Sequence, residues 1–284
     1  MEALSAQEVR QAVQSALAED VGTGDVTTLA TVPEDASAKA LMNAREPLVV
    51  AGLALAEAAF REVSSRVEAR RHSEDGQLAG AGQALLNLNG PARALLTAER
   101  VALIFVQRLS GVATMTAQFV EAVKGTQAQI LDTRKTTPGW RRLEKYAVRC
   151  GGGQNHRLGL YDMVLLKDNH LAALKDAAPN PIAAAVQRAR AKYPNLKVEV
   201  EADTLEQVEQ ALAAGAELVL LDNMALAQLR VAVEKCRGRA RTEASGGVHL
   251  ASVRAIAEAG VDFISVGALT HSARAVDIGL DFEL

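Results

Sequence analysis

From about residue 127 onward the chain repeats one unit: a short apolar run, a polar or glycine-rich turn, then a stretch with helical spacing. The runs are "AQILDT", "YDMVLLKDN", "LKVEVEAD", "AELVLLDN", "ARTEASGG" and "VDFISVGA". Between the later ones lie "TLEQVEQALAAG", "MALAQLRVAVEKC" and "VHLASVRAIAEAG", whose apolar residues recur at helical spacing and two of which end in glycine, as helices often do. Strands this short and this apolar need cover on both faces, which a parallel sheet flanked by helices supplies. The pattern therefore predicts an α/β domain, and closing its sheet into a barrel would set every strand's C-terminal end on one face.

Barrel chemistry sits at those C-terminal ends. Here they carry Arg134 and Lys135, Lys167 and Asp168, Glu201 and Asp203, Asp222 and Asn223, Ser245 with Gly246 and Gly247, and Gly267. One such residue would be ordinary; a rim of them from six consecutive units exceeds what solubility requires.

The first hundred residues read differently. "ASAKALMNAREPLVVAG" and "VEARRHSEDGQLAGAGQALLNLNG" read as strands joined by the helix "LALAEAAFREVSS", a smaller α+β unit. "TAERVALIFVQRLSGVATMTAQFVEAVKG" then offers two consecutive helices, with Thr97 as N-cap and Gly111 dividing them. The expected domains are an N-terminal α+β domain over 1–108, with 271–284 packing on it, and an α/β-barrel catalytic domain over 109–270.

Composition narrows the function. The 284 residues are 49% hydrophobic, enough for a substantial core, and carry a net charge of -3, which leaves no global basic field for a nucleic acid or an anionic membrane. An aromatic content of 3% with Trp140 as the lone tryptophan argues against a base-stacking surface. No run approaches the roughly 20 apolar residues of a membrane span, and "MEALSAQEVR" lacks the basic and apolar regions of a signal peptide. Cys150 and Cys236 show neither metal spacing nor a disulfide framework. A soluble cytoplasmic protein with free thiols is the expectation.

The positive charge is local. Between 132 and 170 there are eight basic residues against four acidic ones. Arg141, Arg142, Lys145 and Arg149 fall in the helical pattern "GWRRLEKYAVRC" and read as solvated helix-face charge. Arg134, Lys135 and Lys167 directly follow strands, and His156 and Arg157 close the glycine-rich "CGGGQNHRLG". Arginine matches a planar carboxylate with two parallel donors, while lysine supplies a mobile point charge suited to phosphate. Such a rim predicts a ligand with several negative charges. The opposed acids Glu201, Asp203 and Asp222 suit Mg²⁺ or ribose hydroxyls, although a mere helix-capping role fits Asp203 before "TLEQ" better than it fits Glu201 or Asp222. The glycines of "EASGGV" and "ISVGAL" expose amides of the kind that bind phosphate in the last loops of parallel barrels.

Together "DTRKTTPG", "LEKYAVRCGGGQNHRLGLYDMVLLKDNH", "EVEADTLEQ", "LVLLDN", "EASGGV" and "SVGALTHS" resemble the quinolinate phosphoribosyltransferases, and the likeness extends to "EDVGTGDVTT" at 19 to 28 and "AERVALIFVQRLSGVAT" at 98 to 114. The resemblance implies an open or incomplete α/β barrel beside the smaller domain. It also implies the joining of quinolinate to phosphoribosyl pyrophosphate, with loss of CO₂ and pyrophosphate, to give nicotinate mononucleotide in NAD biosynthesis.

By the same resemblance Arg134, His156, Arg157 and Lys167 bind quinolinate, with Arg100 supplied by a neighbouring subunit. Lys135 meets the phosphates, Glu201 and Asp222 serve the ribose and Mg²⁺, directly or through the substrate, and Ser245, Gly246, Gly247 and Gly267 hold the 5′-phosphate. Lys135, Lys167, Glu201 and Asp222 form the catalytic set of a homodimer with composite active sites, standing alone or as a trimer of dimers. Trp140 departs from the family pattern, where a smaller apolar residue is expected. Three other readings compete: the molybdenum-transport-associated relative of the same fold, which is expected to lack the full "DTRKT" and "LLKDNH" sets; a Schiff-base aldolase barrel using Lys167; and a non-catalytic phosphometabolite sensor without the substrate-binding basic residues.

Overall fold

A computed structural model describes residues 3–283. Its strands, in chain order, are β1 (Ser37–Ala44), β2 (Leu48–Val49), β3 (Glu68–Arg71), β4 (Leu78–Ala79), β5 (Ala84–Pro91), β6 (Gln129–Leu131), β7 (Val164–Leu166), β8 (Val198–Ala202), β9 (Leu218–Asp222), β10 (Arg241–Ser245), β11 (Phe263–Ser265) and β12 (Ile278–Glu283). Two compact units result. The first comprises the chain up to Ala117, Thr137–Gly152 and the chain from Ser272; the second comprises Gln118–Thr136 and Gly153–His271.

In the first unit β12, β1, β5 and β3 form an antiparallel sheet in that order. β1 alternates as a one-sided strand should, burying Ala38, Ala40, Met42 and Ala44. The helix Leu53–Val63 buries Leu53, Leu55, Ala56, Ala59 and Phe60, the one-sided stripe its spacing predicts.

The two helices expected around Gly111 are one, Ala92–Ala122. Gly111 does not break it; a Cβ there would run into the carbonyl oxygen of Arg274, so the glycine makes room for a neighbouring backbone. Thr97 is an interior residue rather than the cap, and its hydroxyl donates to Asp25 Oδ2 at 3.2 Å. This helix also corrects the expectation about apolar runs. It is long and apolar enough to cross a membrane, yet more than half of its most apolar window is buried inside the protein, and Ala98, Ala102, Val106 and Leu109 are core residues.

A second correction concerns the basic helix Arg141–Cys150. Lys145 and Glu144 are buried rather than solvated; Glu144 accepts from the Thr137 N–H at 3.0 Å and its hydroxyl at 2.7 Å, and Arg142 Nε donates to Glu8 at 2.6 Å. Cys150 and Cys236 form no disulfide and are both buried.

The second unit is the expected α/β repeat. Its six strands are parallel in the order β6-β11-β10-β9-β8-β7. The ladder is open between β6 and β7. Beside β6, Gln154 makes a single parallel bridge to Leu131, so the glycine-rich segment extends the β6 edge. Thr204 rather than Asp203 caps the helix Leu205–Ala213, in a reciprocal box with Gln207.

Candidate active site

Side chains alternate along a strand, and paired residues of neighbouring strands share a face. The register pairs Leu165 with Glu199, Glu201 with Leu220, Leu220 with Glu243, and Asp222 with Ser245. Lys167, Glu201, Asp222 and Ser245 therefore stand on one face at the strands' C-terminal ends. Two residues further down the same face come Glu199 and Glu243.

Contacts bind this rim together. Lys167 Nζ lies 3.0 Å from Glu201 Oε2. Asp222 accepts from Asn223 Nδ2 at 2.6 Å, and the Asn223 N–H donates to the Ser245 carbonyl at 2.9 Å. Asn223, read from sequence as a rim residue without a role of its own, thus ties the acid to the glycine loop, in a left-handed conformation at φ 51° that asparagine tolerates better than most residues. Gly246 has φ 92°, and a Cβ there would overlap the Asn223 side-chain amide. Across the sheet, Lys135 Cδ lies 3.1 Å from where a Cβ on Gly267 would stand, and the Thr270 hydroxyl donates to the Lys135 carbonyl at 2.7 Å. Lys135, Gly267, Ser245, Gly246 and Gly247 all belong to the second unit.

Arg134 and Arg157 supply the basic side. The Nε atoms of both are buried without a hydrogen-bond partner among the described residues, although one terminal nitrogen of Arg157 donates to the Met163 carbonyl at 3.1 Å. Burial first, and then the charge of Arg134, hold Arg157 below the usual guanidinium range. Two like charges close enough to act on one another, each with an unmet donor, are suited to an anion.

The segment that carries Arg157 is pinned by a buried aspartate. Asp132 accepts from the His156 N–H at 2.8 Å and from Asn155 Nδ2 at 2.7 Å. The His156 ring turns inward, with Nε2 3.1 Å from Glu199 and 3.2 Å from Glu243, both wholly buried. Burial opposes the charged ring, but the two carboxylates outweigh it and push its pKa up to about 10. Burial and the charge of Glu243 in turn push Glu199 above the usual carboxylate range. The sequence reading missed both glutamates; the available signal was a glutamate two residues before the rim position in each of "VEVEA" and "RTEAS".

Arg100 belongs to the first unit, exposed on the helix Ala92–Ala122. It lines a cavity of about 640 Å³ with Glu8, Phe105, Trp140 and Arg142. Trp140 is held there by stacking on Phe105, ring centroids 5.2 Å apart.

Comparisons with known proteins agree across the chain. The model of the quinolinate phosphoribosyl transferase C-terminal domain matches residues 112–281, and that of the N-terminal domain matches residues 25–110. A nicotinate-nucleotide pyrophosphorylase [carboxylating] of Mycobacterium leprae is 48% identical, with 96% of each chain covered. A probable nicotinate-nucleotide pyrophosphorylase [carboxylating] of Bacillus subtilis is 43% identical over 94% of this chain and 90% of its own. The structure of the nicotinate-nucleotide pyrophosphorylase from Francisella tularensis superposes with a TM-score of 0.93 at 39% identity, covering 99% of this chain and 98% of that one.

Proposed function

The chain belongs to the quinolinate phosphoribosyl transferase family, and on that premise we propose that it transfers the phosphoribosyl group of phosphoribosyl pyrophosphate to quinolinate. Decarboxylation follows, and the products are nicotinate mononucleotide, CO₂ and pyrophosphate, a step of NAD biosynthesis. The observation that carries this reading is the Arg134–Arg157 pair, whose buried Nε atoms lack partners among the described residues and match the carboxylates of a pyridine dicarboxylate.

The pyridine nitrogen attacks C1 of the ribose as pyrophosphate leaves, so positive charge gathers on the sugar and negative charge on the leaving group. Lys135, lying across Gly267, stabilises the leaving phosphates, with Ser245, Gly246 and Gly247 on the 5′-phosphate. Glu201 and Asp222 orient the ribose and support its cationic character. Their hard oxygens suit Mg²⁺, and as only two carboxylates they would hold it together with water and substrate phosphates; when bound, the ion neutralises charge on the departing pyrophosphate. Once ribosylated, the ring nitrogen is an electron sink, so the adjacent carboxylate departs as CO₂ and the ring carbon is then protonated. Holding both substrates in register supplies much of the acceleration.

Lys167 Nζ is engaged by Glu201 at 3.0 Å, so it stands on the rim as an ion-pair partner rather than as a lone nucleophile, against the aldolase reading. Arg134, Arg157 and Lys167 are retained on the rim, against both the transport-associated relative and the sensor. We further propose a homodimer in which Arg100 of one subunit completes the site of the other. Cytoplasmic location remains the reading from composition; plant relatives bear chloroplastic and mitochondrial names.

The test is product formation from quinolinate, phosphoribosyl pyrophosphate and Mg²⁺, with pyrophosphate counted in the same reaction and nicotinate as the alternative acceptor. Equal amounts of nicotinate mononucleotide and pyrophosphate from quinolinate alone are expected. Product from nicotinate alone, or from neither, would remove the dicarboxylate assignment from Arg134, Arg157 and Lys167.

A further inference from the structure

Glu199 and Glu243 have no part in the transfer described above, yet they lie wholly buried on the inner face of β8 and β10. Buried carboxylates are unfavourable unless their oxygens find donors or they serve a purpose. Glu199 Oε1 has no hydrogen-bond partner among the described residues, and Glu243 Oε2 has only an ion-pair contact with His156 Nε2 that falls outside hydrogen-bond geometry. What the pair does meet is the Nε2 edge of the His156 ring, at 3.1 and 3.2 Å.

Donor and acceptor bookkeeping places a hydrogen on Nε2. The Arg157 N–H lies 2.8 Å from His156 Nδ1 and donates to it in the neutral ring, and Nε2 carries a hydrogen both in the tautomer that this bond selects and in the charged ring that the two carboxylates favour. The hydrogen points at Glu199, with Glu243 beside it. This arrangement is the reverse of a metal centre. Ligand atoms of His156, Glu199 and Glu243 lie within 4.8 Å of one another, but a cation on Nε2 would need the lone pair there and a donor at Nδ1.

The same bookkeeping bears on the substrate. Both ring nitrogens of His156 are engaged by the protein, while the ring joins three places: Glu199 on β8, Glu243 on β10, and the backbone N–H of Arg157. The His156 backbone N–H adds a fourth at Asp132, directly after β6. The residue so located is the chain neighbour of Arg157, the arginine that feels the charge of Arg134.

We infer that His156, Glu199 and Glu243 are positioning residues: the imidazole, locked on two buried glutamates, fixes the 153–157 segment and thereby aims the Arg157 guanidinium at the substrate carboxylate. His156 then acts through Arg157 rather than by touching quinolinate, and the glutamates add a counter-charge beneath the arginines, Glu199 acting directly on Arg157. The inference rests on the quinolinate reading for its kinetic consequence, but its structural consequence stands apart from it.

Three variants and two measurements test it. Backbone amide exchange across 153–157 is measured in the protein without substrates, and KM and kcat are then measured for each substrate. In His156→Leu and in Glu243→Leu, exchange at 154–157 is expected to quicken and the KM for quinolinate to rise by at least about tenfold, with that for phosphoribosyl pyrophosphate within about threefold. Glu243→Gln, which keeps an oxygen acceptor beside the ring, is expected to restore both to within about threefold of the parent. The idea is overturned if His156→Leu raises the quinolinate KM while exchange stays unchanged, since the ring would then touch the substrate itself. It is equally overturned if Glu243→Leu changes neither quantity, and this variant decides alone should His156→Leu fail to fold. A parent protein inactive on quinolinate would sink the proposed function instead, and the exchange data would still decide the positioning role.

Discussion

Arg134→Ala separates what the arginine pair costs the free protein from what it gains with ligand. Without ligand, Arg134 presents a buried Nε with no partner among the described residues and a like charge that acts on Arg157. An unmet buried donor costs about 1–3 kcal/mol, while the aliphatic stem, half-buried, returns roughly 1–2 kcal/mol in packing. The variant should therefore be more stable than the parent by about 1 kcal/mol, a rise in Tm of roughly 2 °C for a chain of this size. With ligand the sign reverses. A two-pronged bond to a carboxylate contributes about 2–4 kcal/mol, so quinolinate should bind ~30- to 1000-fold more weakly. Phosphoribosyl pyrophosphate, held on the other side of the rim, should lose less than about threefold. Thermal unfolding without ligand and separate calorimetric titrations of the two substrates supply the data. A Tm several degrees below the parent, or equal losses for the two ligands, would refute the reasoning.

Other consequences are open to similar tests. Mixing Arg100→Ala subunits with Lys167→Ala subunits should restore activity, because one site of the mixed dimer keeps both groups; no recovery after demonstrated subunit exchange would count against a shared site. Gly246→Ala forces a side chain onto a φ of 92° and into the Asn223 amide that holds Asp222. The strain alone is about 1–2 kcal/mol, so the KM for phosphoribosyl pyrophosphate should rise roughly tenfold while that for quinolinate changes little; an unchanged value would remove Gly246 from the phosphate site. In the first unit, the bonds from Arg142 to Glu8 and from Arg274 to Glu46 each hold a carboxyl down to about 2. Because these pKa values are depressed, the stability they bring is fully present above the ordinary value of 4.5 and lost as pH falls toward 2. Arg274→Ala should flatten the fall of Tm between those limits, and an unaltered acid limb would show that the Glu46 pair contributes nothing.

Much of the second unit is legible because its signals are local. A parallel strand covered on both faces must be nearly all apolar, so "LVLLD" and its counterparts mark themselves, and the polar residues that follow each one mark the rim. The helix Ala92–Ala122 shows where local signals mislead. Gly111 reads as a break because a missing side chain weakens a helix, yet its purpose is set by the Arg274 carbonyl, far along the chain. Likewise Lys145 reads as solvated from its neighbours, and its burial follows from what packs over it.

The deepest layer of the site marks the division most clearly. The sequence by itself determined six parallel strands, the rim of Arg134, Lys135, Lys167, Glu201, Asp222, Ser245 and Gly267, and the family to which they belong, since strand period and turn chemistry act over a few residues. It also set Glu199 and Glu201 on the same face of "VEVEA". Only the tertiary structure decided that this face turns inward, making Glu201 a rim residue and Glu199 a wholly buried partner of His156. Alternation assigns side chains to two faces of a strand; whether a face meets water or protein depends on the segments brought against it, and no local pattern carries that information.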